Sequence, residues 1–195
     1  MDEDLTDLTA ERDGSNTFRR IPFRPSSNGV NQGVAKRFRG ESTHKVDSKG
    51  RVSIPADFRS VLREGDPDAV ADTQPQLVLI YGLTGKKCLE GYTIDGVDAL
   101  DDEVEQHPRG STQRAALERA LNTQSTYLQL DPNGRIVLSQ KLKDRIGVTG
   151  EAFFAGMGRR FQIWEPSEYD ADQAKLENWV AENTDHADPL SLLGG

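Results

Sequence analysis

One eight-residue phrase occurs twice in the chain, and this repetition constrains the fold more than any other feature of the sequence. Residues 47–54 read Asp-Ser-Lys-Gly-Arg-Val-Ser-Ile, and residues 131–138, which follow 84 positions later, read Asp-Pro-Asn-Gly-Arg-Ile-Val-Leu. Asp and Gly at these spacings are typical of a tight turn, and the alternating apolar residues after them are typical of a half-buried strand. A phrase repeated at one offset predicts a fold that uses one strand–turn–strand unit twice.

Arg51 and Arg135 follow the glycines of the two phrases, so each would lie at the start of a strand beside its turn. In one interpretation they pair with Asp47 and Asp131 and hold the turns together. An exposed ion pair of this kind contributes only about 0–1 kcal/mol to stability. In the other interpretation the turns present both guanidinium groups to phosphates or base edges of a nucleic acid. The two interpretations are compatible, because an aspartate can orient the same arginine that contacts a ligand.

A second pair of similar segments predicts another hairpin in each repeat. Residues 82–88 and 156–161 each contain a glycine pair, two basic residues and then an apolar residue, and apolar runs precede both. The pattern is typical of hairpins with basic tips. Helices are expected around these strands, at Ala56–Leu62, Asp95–Gln106, Ser111–Asn122, Gln140–Ile146 and Ser167–Glu182, with Ser111 as an N-cap. In the last helix, four residues are expected to form the buried side: Tyr169, Leu176, Trp179 and Val180.

These elements predict an α+β fold with a mainly β core of about 150 residues, which is a plausible size for one compact region. Each half is too small to fold well alone, so the halves are expected to pack as a pseudo-symmetric pair. The expected organisation is a disordered N-terminal arm at 1–35, a first repeat at 36–95, a helical connection at 96–123, a second repeat at 124–166, a C-terminal helix at 167–183 and a flexible tail at 184–195.

Charge is unevenly distributed along the chain. The formal net charge is −8, but residues 17–63 contain eleven basic and three acidic residues, whereas the remainder contains 13 basic and 29 acidic residues. An acidic protein of this kind can still present one basic face to DNA. No apolar run approaches the roughly 20 residues of a membrane span, and no signal-peptide pattern is found. The single cysteine, Cys88, excludes an intrachain disulfide and suits a reducing cytosol.

The sequence does not favour an enzyme. Candidate catalytic groups exist, but their spacing matches no metal-binding or nucleophile motif: His44, Asp47, Cys88 and the acidic run 101–103. His107 and His186 lie in polar, loop-like segments, and neither standard phosphate-binding glycine loop is present. We therefore expect no catalytic activity, no metal, no cofactor and no small-molecule substrate.

Longer segments around both phrases form a pattern known from one protein family. The first part is Phe38-Arg39-Gly40-Glu41, His44, then 47–55 and Phe58-Arg59. The second part is Asp131, Gly134-Arg135-Ile136 and the run Gly-Arg-Arg-Phe-Gln-Ile-Trp at 158–164. From about Arg37 to Glu182 the chain resembles the MraZ family of bacterial transcription regulators. Two phrases in tandem, each with its following strand, make the resemblance specific.

The resemblance implies a fold, an assembly and a target. MraZ proteins have two tandem modules of the SpoVT-AbrB type, which here would form a pseudo-symmetric, swapped-hairpin β-barrel with flanking helices. The protomers would assemble into a homo-oligomeric ring whose turns face double-stranded DNA. The expected target is a promoter with direct repeats that serves the division and cell wall gene cluster, which includes the regulator's own gene. We expect repression, in the cytoplasm and at the nucleoid.

The resemblance also implies roles for residues of both turns. Two arginines would contact DNA, two aspartates would orient them and two glycines would allow the turns: Arg51 and Arg135, Asp47 and Asp131, Gly50 and Gly134. Lys49 would add a phosphate contact, whereas Asn133 at the matching position brings no charge. Secondary candidates lie nearby in sequence: Arg39, His44 and Lys45. The pattern departs at Ser139, where Pro55 predicts proline, and in the 35 residues before Lys36.

Two questions stay open at the level of sequence. A guanidinium group suits both guanine edges and phosphates, so the sequence does not say which of them the arginines contact. An antitoxin-like protein-binding module with the same DNA-binding unit is the alternative function, although such antitoxins usually carry one copy of the unit and a disordered partner-binding tail. A ring would recognise several short, regularly spaced boxes, because linked protomers convert later contacts into intramolecular ones.

Overall fold

Eight β-strands and five α-helices form within the residues that our computed structural model describes, which are 37–71, 73–81, 85–184 and 188–194. The predicted arm at 1–35 lies outside these ranges. The strands are β1 Glu41–Lys45, β2 Arg51–Ser53, β3 Gln76–Ile80, β4 Cys88–Tyr92, β5 Ser125–Gln129, β6 Arg135–Val137, β7 Glu151–Gly156 and β8 Phe161–Trp164. The α-helices are α1 Ala56–Glu64, α2 Ile94–Glu105, α3 Thr112–Glu118, α4 Gln140–Ile146 and α5 Pro166–Asn183. A π-helical turn, Arg119–Thr123, extends α3, and a 3-10 helix, Pro189–Gly194, follows α5.

The strand order follows from the sequence repeat. Six strands form an antiparallel sheet in the order β1-β7-β8-β4-β3-β5, and β2 pairs with β6 in a separate two-stranded ribbon. In β1, His44 lies opposite Ala152, and in β5 the equivalent Leu128 lies opposite Leu77. The equivalent strands β4 and β8 pair at the centre of the sheet. The predicted α+β class with a mainly β core is confirmed, and both halves of the chain contribute to one sheet.

The sheet does not close into the predicted barrel. Among the residues described, β1 and β5 each pair with a single strand of the large sheet and form its two edges. Each edge strand continues through a tight turn into β2 or β6, and these strands bond to each other instead of joining the edges. The prediction of a barrel is therefore wrong in this respect, because the strands that would close it form their own ribbon.

Alternation along β3 divides the hydrophobic interior into two clusters. Leu79 lies in the larger cluster with Val52 and Ile136 of the ribbon. Ile80, its neighbour in β3, lies in the smaller cluster with Val97 of α2. Because successive strand residues point to opposite faces, the ribbon and the layer of α2 and α3 cover opposite sides of the sheet. The ribbon therefore rests on the main core, which fixes its backbone.

The second predicted hairpin of each repeat is confirmed, because β3 pairs with β4 and β7 pairs with β8. The basic residues near the hairpin tips are engaged with acidic groups of the same protomer. Lys86 Nζ lies 2.7 Å from an oxygen of Asp172 in α5. Arg160 Nε lies 3.1 Å from an oxygen of Glu90 in β4. These hairpins therefore use part of their positive charge within the fold.

Two predictions about the helices have different outcomes. Ser111 caps α3 as predicted, since its Oγ accepts a 3.1 Å hydrogen bond from a backbone amide of the first turn. The predicted buried side of α5 is wrong for Leu176 and Trp179, which are 53% and 48% exposed. Tyr169, near the helix start, packs on Phe153 with 4.1 Å between ring centroids. Helix α5 thus contacts the sheet through its first turns, whereas Leu176 and Trp179 stay exposed in the protomer and Val180 is half-buried.

Candidate nucleic-acid interface

The first turn is built on the side chain of Asp47. Its Oδ1 accepts hydrogen bonds from the backbone amides of Lys49 and Arg51, both at 2.9 Å, and its Oδ2 accepts one from Arg51 Nε at 2.6 Å. The backbone closes with the Gly50 amide donating to the Asp47 carbonyl oxygen at 2.9 Å. One carboxylate therefore fixes both the path of the turn and the position of the arginine.

The second turn repeats this geometry. Asp131 Oδ1 accepts hydrogen bonds from the amides of Asn133 at 2.8 Å and Arg135 at 3.0 Å. Its Oδ2 accepts one from Arg135 Nε at 2.8 Å. The Gly134 amide donates to the Asp131 carbonyl oxygen at 2.8 Å. Each aspartate thus orients the arginine of its own turn.

These hydrogen bonds favour the ionised form of both aspartates. The pKa of Asp47 lies below its ordinary value, first because the Arg51 amide donates to the carboxylate and next because the guanidinium does. Burial raises the pKa of Asp131, but the amide and guanidinium of Arg135 and the amide of Asn133 outweigh this effect and leave the pKa lowered. Both carboxylates therefore stay charged at neutral pH and keep their arginines in place.

The ribbon brings the two arginines onto one face. Arg51 lies opposite Val137, and Ser53 lies opposite Arg135, so the four side chains share one face of the ribbon. The arginines are diagonal neighbours across the two strands, a relation with a Cα separation of about 7–8 Å. Their side chains remain 38% and 31% exposed. The opposite face of the ribbon is buried in the main core, so the exposed face carries two fixed guanidinium groups.

Gly50 and Gly134 make the turns possible. Their φ angles are +77° and +71°, in a region that other residues rarely adopt. A Cβ at Gly50 would overlap the carbonyl oxygen of Leu138, and a Cβ at Gly134 would overlap the guanidinium of Arg59. Reciprocal hydrogen bonds tie each turn to the other repeat, from the Leu138 amide to Gly50 at 2.8 Å and from the Ile54 amide to Gly134 at 3.0 Å. The two turns therefore form one unit with the ribbon between them.

Known proteins match the chain over the region that contains both turns. The family model for MraZ, described as an antitoxin-like protein, matches residues 37–115 and 122–188. A protein of Ruegeria pomeroyi named transcriptional regulator MraZ is 47% identical over 163 residues, which cover 83% of this chain and 98% of the relative. The chain belongs to the MraZ family. Proteins of the same name from Ruegeria sp. strain TM1040 and Cereibacter sphaeroides are 45% identical over 163 residues (83% of this chain, 98% of the relative) and 39% identical over 167 residues (82% and 97%).

The other predicted contact residues of this MraZ chain do not all lie at the turns. Lys49 and Asn133 occupy matching exposed positions in the two turns. Lys45 is exposed at the end of β1 that leads into the first turn. Arg39 is exposed before the other end of β1, and a five-residue strand spans about 17 Å. The structure therefore groups three of these side chains with the turn arginines and separates Arg39 from them.

His44 faces the interior and not the exposed side of the turns. Its Nε2 lies 3.0 Å from Ser42 Oγ, and its ring centroid lies 5.4 Å from that of Phe154, which is fully buried. Burial, followed by the charge of Arg59, lowers the pKa of His44. The imidazole is therefore disfavoured as a cation, and the structure does not bring it together with the exposed turn residues.

Sequence analysis missed Arg59 as a residue of the site. It belongs to α1 of the first repeat, yet its side chain contacts Gly134 in the turn of the second. No local signal could have placed it there, because the contact depends on how the two repeats pair. In the MraZ fold as seen here, the second turn is thus completed by a side chain from the first repeat.

The candidate catalytic groups are kept apart. Pairing through β8 and β7 places Cys88 on the same face of the sheet as Thr43, and His44, the next residue, points to the opposite face. Within the described ranges, no three His, Cys, Asp or Glu side chains are grouped as a metal ion would require. None of the helices described has both the length and the apolar character needed to cross a membrane.

Proposed function

We propose that this MraZ-family protein is a sequence-specific DNA-binding transcription regulator that contacts double-stranded DNA through the exposed face of the β2–β6 ribbon. The observation that carries the proposal is the pair Arg51 and Arg135, held on one face by the carboxylates of their own turns. Oriented guanidinium groups of this kind suit phosphates and guanine edges. Relatives named transcriptional regulator MraZ support the same function.

The ribbon belongs to two interleaved SpoVT-AbrB-type modules, which we propose to be a swapped-hairpin pair. Support comes from the strand order, in which β1 of the first repeat pairs with β7 of the second and β5 pairs with β3. Each module then completes the sheet of the other. Such interleaving fixes the two turns relative to each other, so the pair of arginines acts as one recognition element.

The protein acts, in this proposal, as a ring homo-oligomer on several short DNA boxes. One ribbon offers few cationic contacts, which alone give weak and strongly salt-dependent binding. Linked protomers would raise avidity by roughly 10²–10⁴ where the spacing of the boxes matches the ring. The exposed Leu176 and Trp179 of α5 support self-association, because an apolar surface of this kind favours burial against a partner.

The regulated promoter would be that of the division and cell wall gene cluster, including the protein's own gene, with direct repeats as the operator. A ring bound across such repeats would obstruct RNA polymerase, so the expected effect is repression. This places the protein in the cytoplasm at the nucleoid, with DNA and further copies of itself as partners. The expected absence of enzymatic activity, cofactor and small-molecule substrate is part of this proposal.

The test compares Arg51→Ala and Arg135→Ala with the parent protein on two DNAs, the region upstream of the protein's own reading frame and random DNA of equal length. Removal of one guanidinium group should weaken binding by roughly 10- to 100-fold. A loss of affinity confined to the upstream DNA would mean base reading, and an equal loss on both would mean phosphate contact. Arg119→Ala is the matched control, because Arg119 is exposed in the helical layer on the other side of the sheet. Unchanged binding of both turn variants would contradict the proposal.

An antitoxin-like role is the second candidate, and the description of the matching family as antitoxin-like favours it. In this role the same ribbon would bind DNA while another surface holds a protein partner. Purification from the native host separates the two functions. A stoichiometric partner that releases on denaturation would support the antitoxin-like role, whereas a large homogeneous assembly of this chain alone would support the regulator.

A further inference from the structure

The two turns differ at one charged position. The third residue of the first phrase is Lys49, and the matching residue of the second phrase is Asn133. The aspartate and arginine of each turn are otherwise equivalent in sequence and in hydrogen bonding. If both turns approach a DNA backbone, the second turn has one cation fewer than the first in its own sequence.

Arg59 contacts the residue that follows Asn133 in the second turn, Gly134. A Cβ built on Gly134 would overlap Arg59 Nη1 and lie 2.5 Å from its Cδ, so the guanidinium rests directly on the second turn. The hydrogen bond from the Ile54 amide to the Gly134 carbonyl oxygen, at 3.0 Å, holds the start of α1 against this turn. An arginine of the first repeat therefore contacts the turn of the second repeat.

The guanidinium of Arg59 also differs from its neighbours in hydrogen bonding. Within the described part of the chain, its Nε is buried without a hydrogen-bond acceptor. Arg51 and Arg135, by contrast, are each paired with an aspartate. A buried donor that is left unsatisfied is costly and rare in native structures, so its presence calls for an explanation. Because this Nε is buried, an anion that enters the groove from outside the protomer would meet the guanidinium at its terminal nitrogens.

An open groove of about 700 Å³ lies between α1 and the second turn. Arg59 and Arg63 line one side, Pro132 and Gly134 line the other, and Glu64 also contributes. We propose that Arg59 binds a backbone phosphate of DNA in this groove and so supplies to the second turn the charge that Lys49 supplies to the first. This inference rests on the proposed DNA-binding function and extends its contact surface beyond the ribbon.

A phosphodiester group fits this position better than a base edge. Arg59 belongs to α1 and contacts the turn at Gly134, whereas Arg51 and Arg135 belong to the strands of the ribbon. Contacts that flank a recognition element typically fall on the sugar–phosphate backbone and set register without reading sequence. A planar guanidinium also matches a phosphate through two parallel hydrogen bonds. Removal of Arg59 should therefore weaken binding to all DNA sequences by the same factor.

The test measures DNA affinity of the full chain across a series of salt concentrations, on its own upstream DNA and on random DNA. Arg59→Gln keeps much of the side chain's length but removes its charge, and Arg59→Lys keeps the charge. We expect Arg59→Gln to lower affinity by the same factor on both DNAs and to flatten the plot of log affinity against log salt by about 0.9 for each phosphate that is no longer neutralised. Arg59→Lys should keep the parent slope, as should Arg119→Ala.

The outcomes separate this inference from the proposed function. If Arg59→Gln binds with the parent affinity and slope while Arg51→Ala is defective, the inference is overturned and the proposed function stands. If Arg59→Gln, Arg51→Ala and Arg135→Ala all bind like the parent, both fail. Arg59→Ala tests whether the side chain acts only through packing. If Arg59→Ala weakens DNA binding but Arg59→Gln does not, the charge is not needed and the inference is overturned. Circular dichroism confirms that each variant is folded at the temperature of the binding assay.

Discussion

At the scale of single residues, the site depends on backbone positions that only glycine occupies without strain. We expect Gly50→Ala to lower the free energy of unfolding by at least about 2 kcal/mol, because the new Cβ adopts an unfavourable φ and overlaps the Leu138 carbonyl oxygen. Urea denaturation followed by circular dichroism measures the change. Gly147→Ala is the matched control, since Gly147 has φ +76° but nothing lies within 4 Å of its added Cβ. Equal losses of stability in the two variants would contradict the steric part of the argument.

The carboxylates of the two turns, Asp47 and Asp131, also make the free energy of unfolding depend on pH. The folded-state pKa values of Asp47 and Asp131 lie below the ordinary 3.8. Each group therefore contributes stability above that value and loses its contribution as the pH falls through the lowered folded pKa. We expect the parent protein to lose stability more steeply than the double variant Asp47→Asn/Asp131→Asn as the pH falls below the ordinary value of 3.8. The midpoints of urea denaturation of the two proteins, measured from neutral to acidic pH, test this expectation. A difference between the two midpoints that stays constant down to the lowest pH would refute it.

At the scale of secondary-structure elements, the two repeats meet at the β4–β8 pair through a buried polar network. Glu90 is 3% exposed, its Oε2 accepts a hydrogen bond from the Tyr92 hydroxyl at 2.7 Å, and its Oε1 accepts one from Gln162 Nε2 at 3.2 Å. Burial, followed by the hydrogen bond to Glu90, raises the pKa of Tyr92 well above its ordinary value. Gln162 in turn accepts a 3.1 Å hydrogen bond from Trp164 Nε1. The centre of the sheet is thus joined by polar groups that satisfy one another.

We expect Glu90→Ala to lower the free energy of unfolding by about 3–5 kcal/mol, because it leaves Tyr92 and Gln162 without their acceptor and Arg160 without its counter-charge. Chemical denaturation of the purified chain measures the loss of stability. Glu90→Gln is the matched control, since its amide oxygen still accepts the Tyr92 hydrogen bond, and its loss should be smaller. A finding that the two variants are equally unstable would show that the network contributes nothing beyond the carboxylate's charge.

How much of this fold could be predicted from the sequence depends on how far apart along the chain the interacting residues lie. The turns could be predicted, because their determinants, an Asp acceptor and a Gly at positive φ, lie within five residues of each other. The ribbon could not, since β2 pairs with β6 across a separation of 84 residues that no local pattern encodes. For that reason the sequence did not predict that Arg51 and Arg135 share a face or that Arg59 contacts the second turn. Only the structure shows these contacts. Amphipathicity likewise predicted α5 as a helix, but it gave no information about what would cover Leu176 and Trp179.

At the scale of the whole molecule, the proposed assembly would compensate for the net charge of the chain. The chain carries a net charge of −8, so in the proposed function DNA would repel a single protomer except at the ribbon face that carries Arg51 and Arg135. The few contacts of one ribbon would then limit the affinity of a single protomer for DNA. An assembly that aligns many ribbons adds contacts without any new residue, and its gain depends on the spacing of the DNA boxes. If the proposed assembly forms through the exposed apolar residues of α5, Leu176 and Trp179, changing them should abolish assembly and leave the ribbon intact.

We expect Leu176→Glu/Trp179→Glu to reduce the size of the assembly in light scattering. These two apolar side chains are 53% and 48% exposed, and the change would place charges at the proposed contact between protomers. The turns are untouched, so affinity for a single DNA box should stay that of the parent, whereas affinity for DNA with several boxes should fall by roughly 10²–10⁴. Val70→Glu is the control, since Val70 is 64% exposed in a loop between α1 and β3. A variant that keeps the parent size, or one that loses affinity equally on one box and on several, would exclude α5 as the surface through which protomers cooperate on DNA.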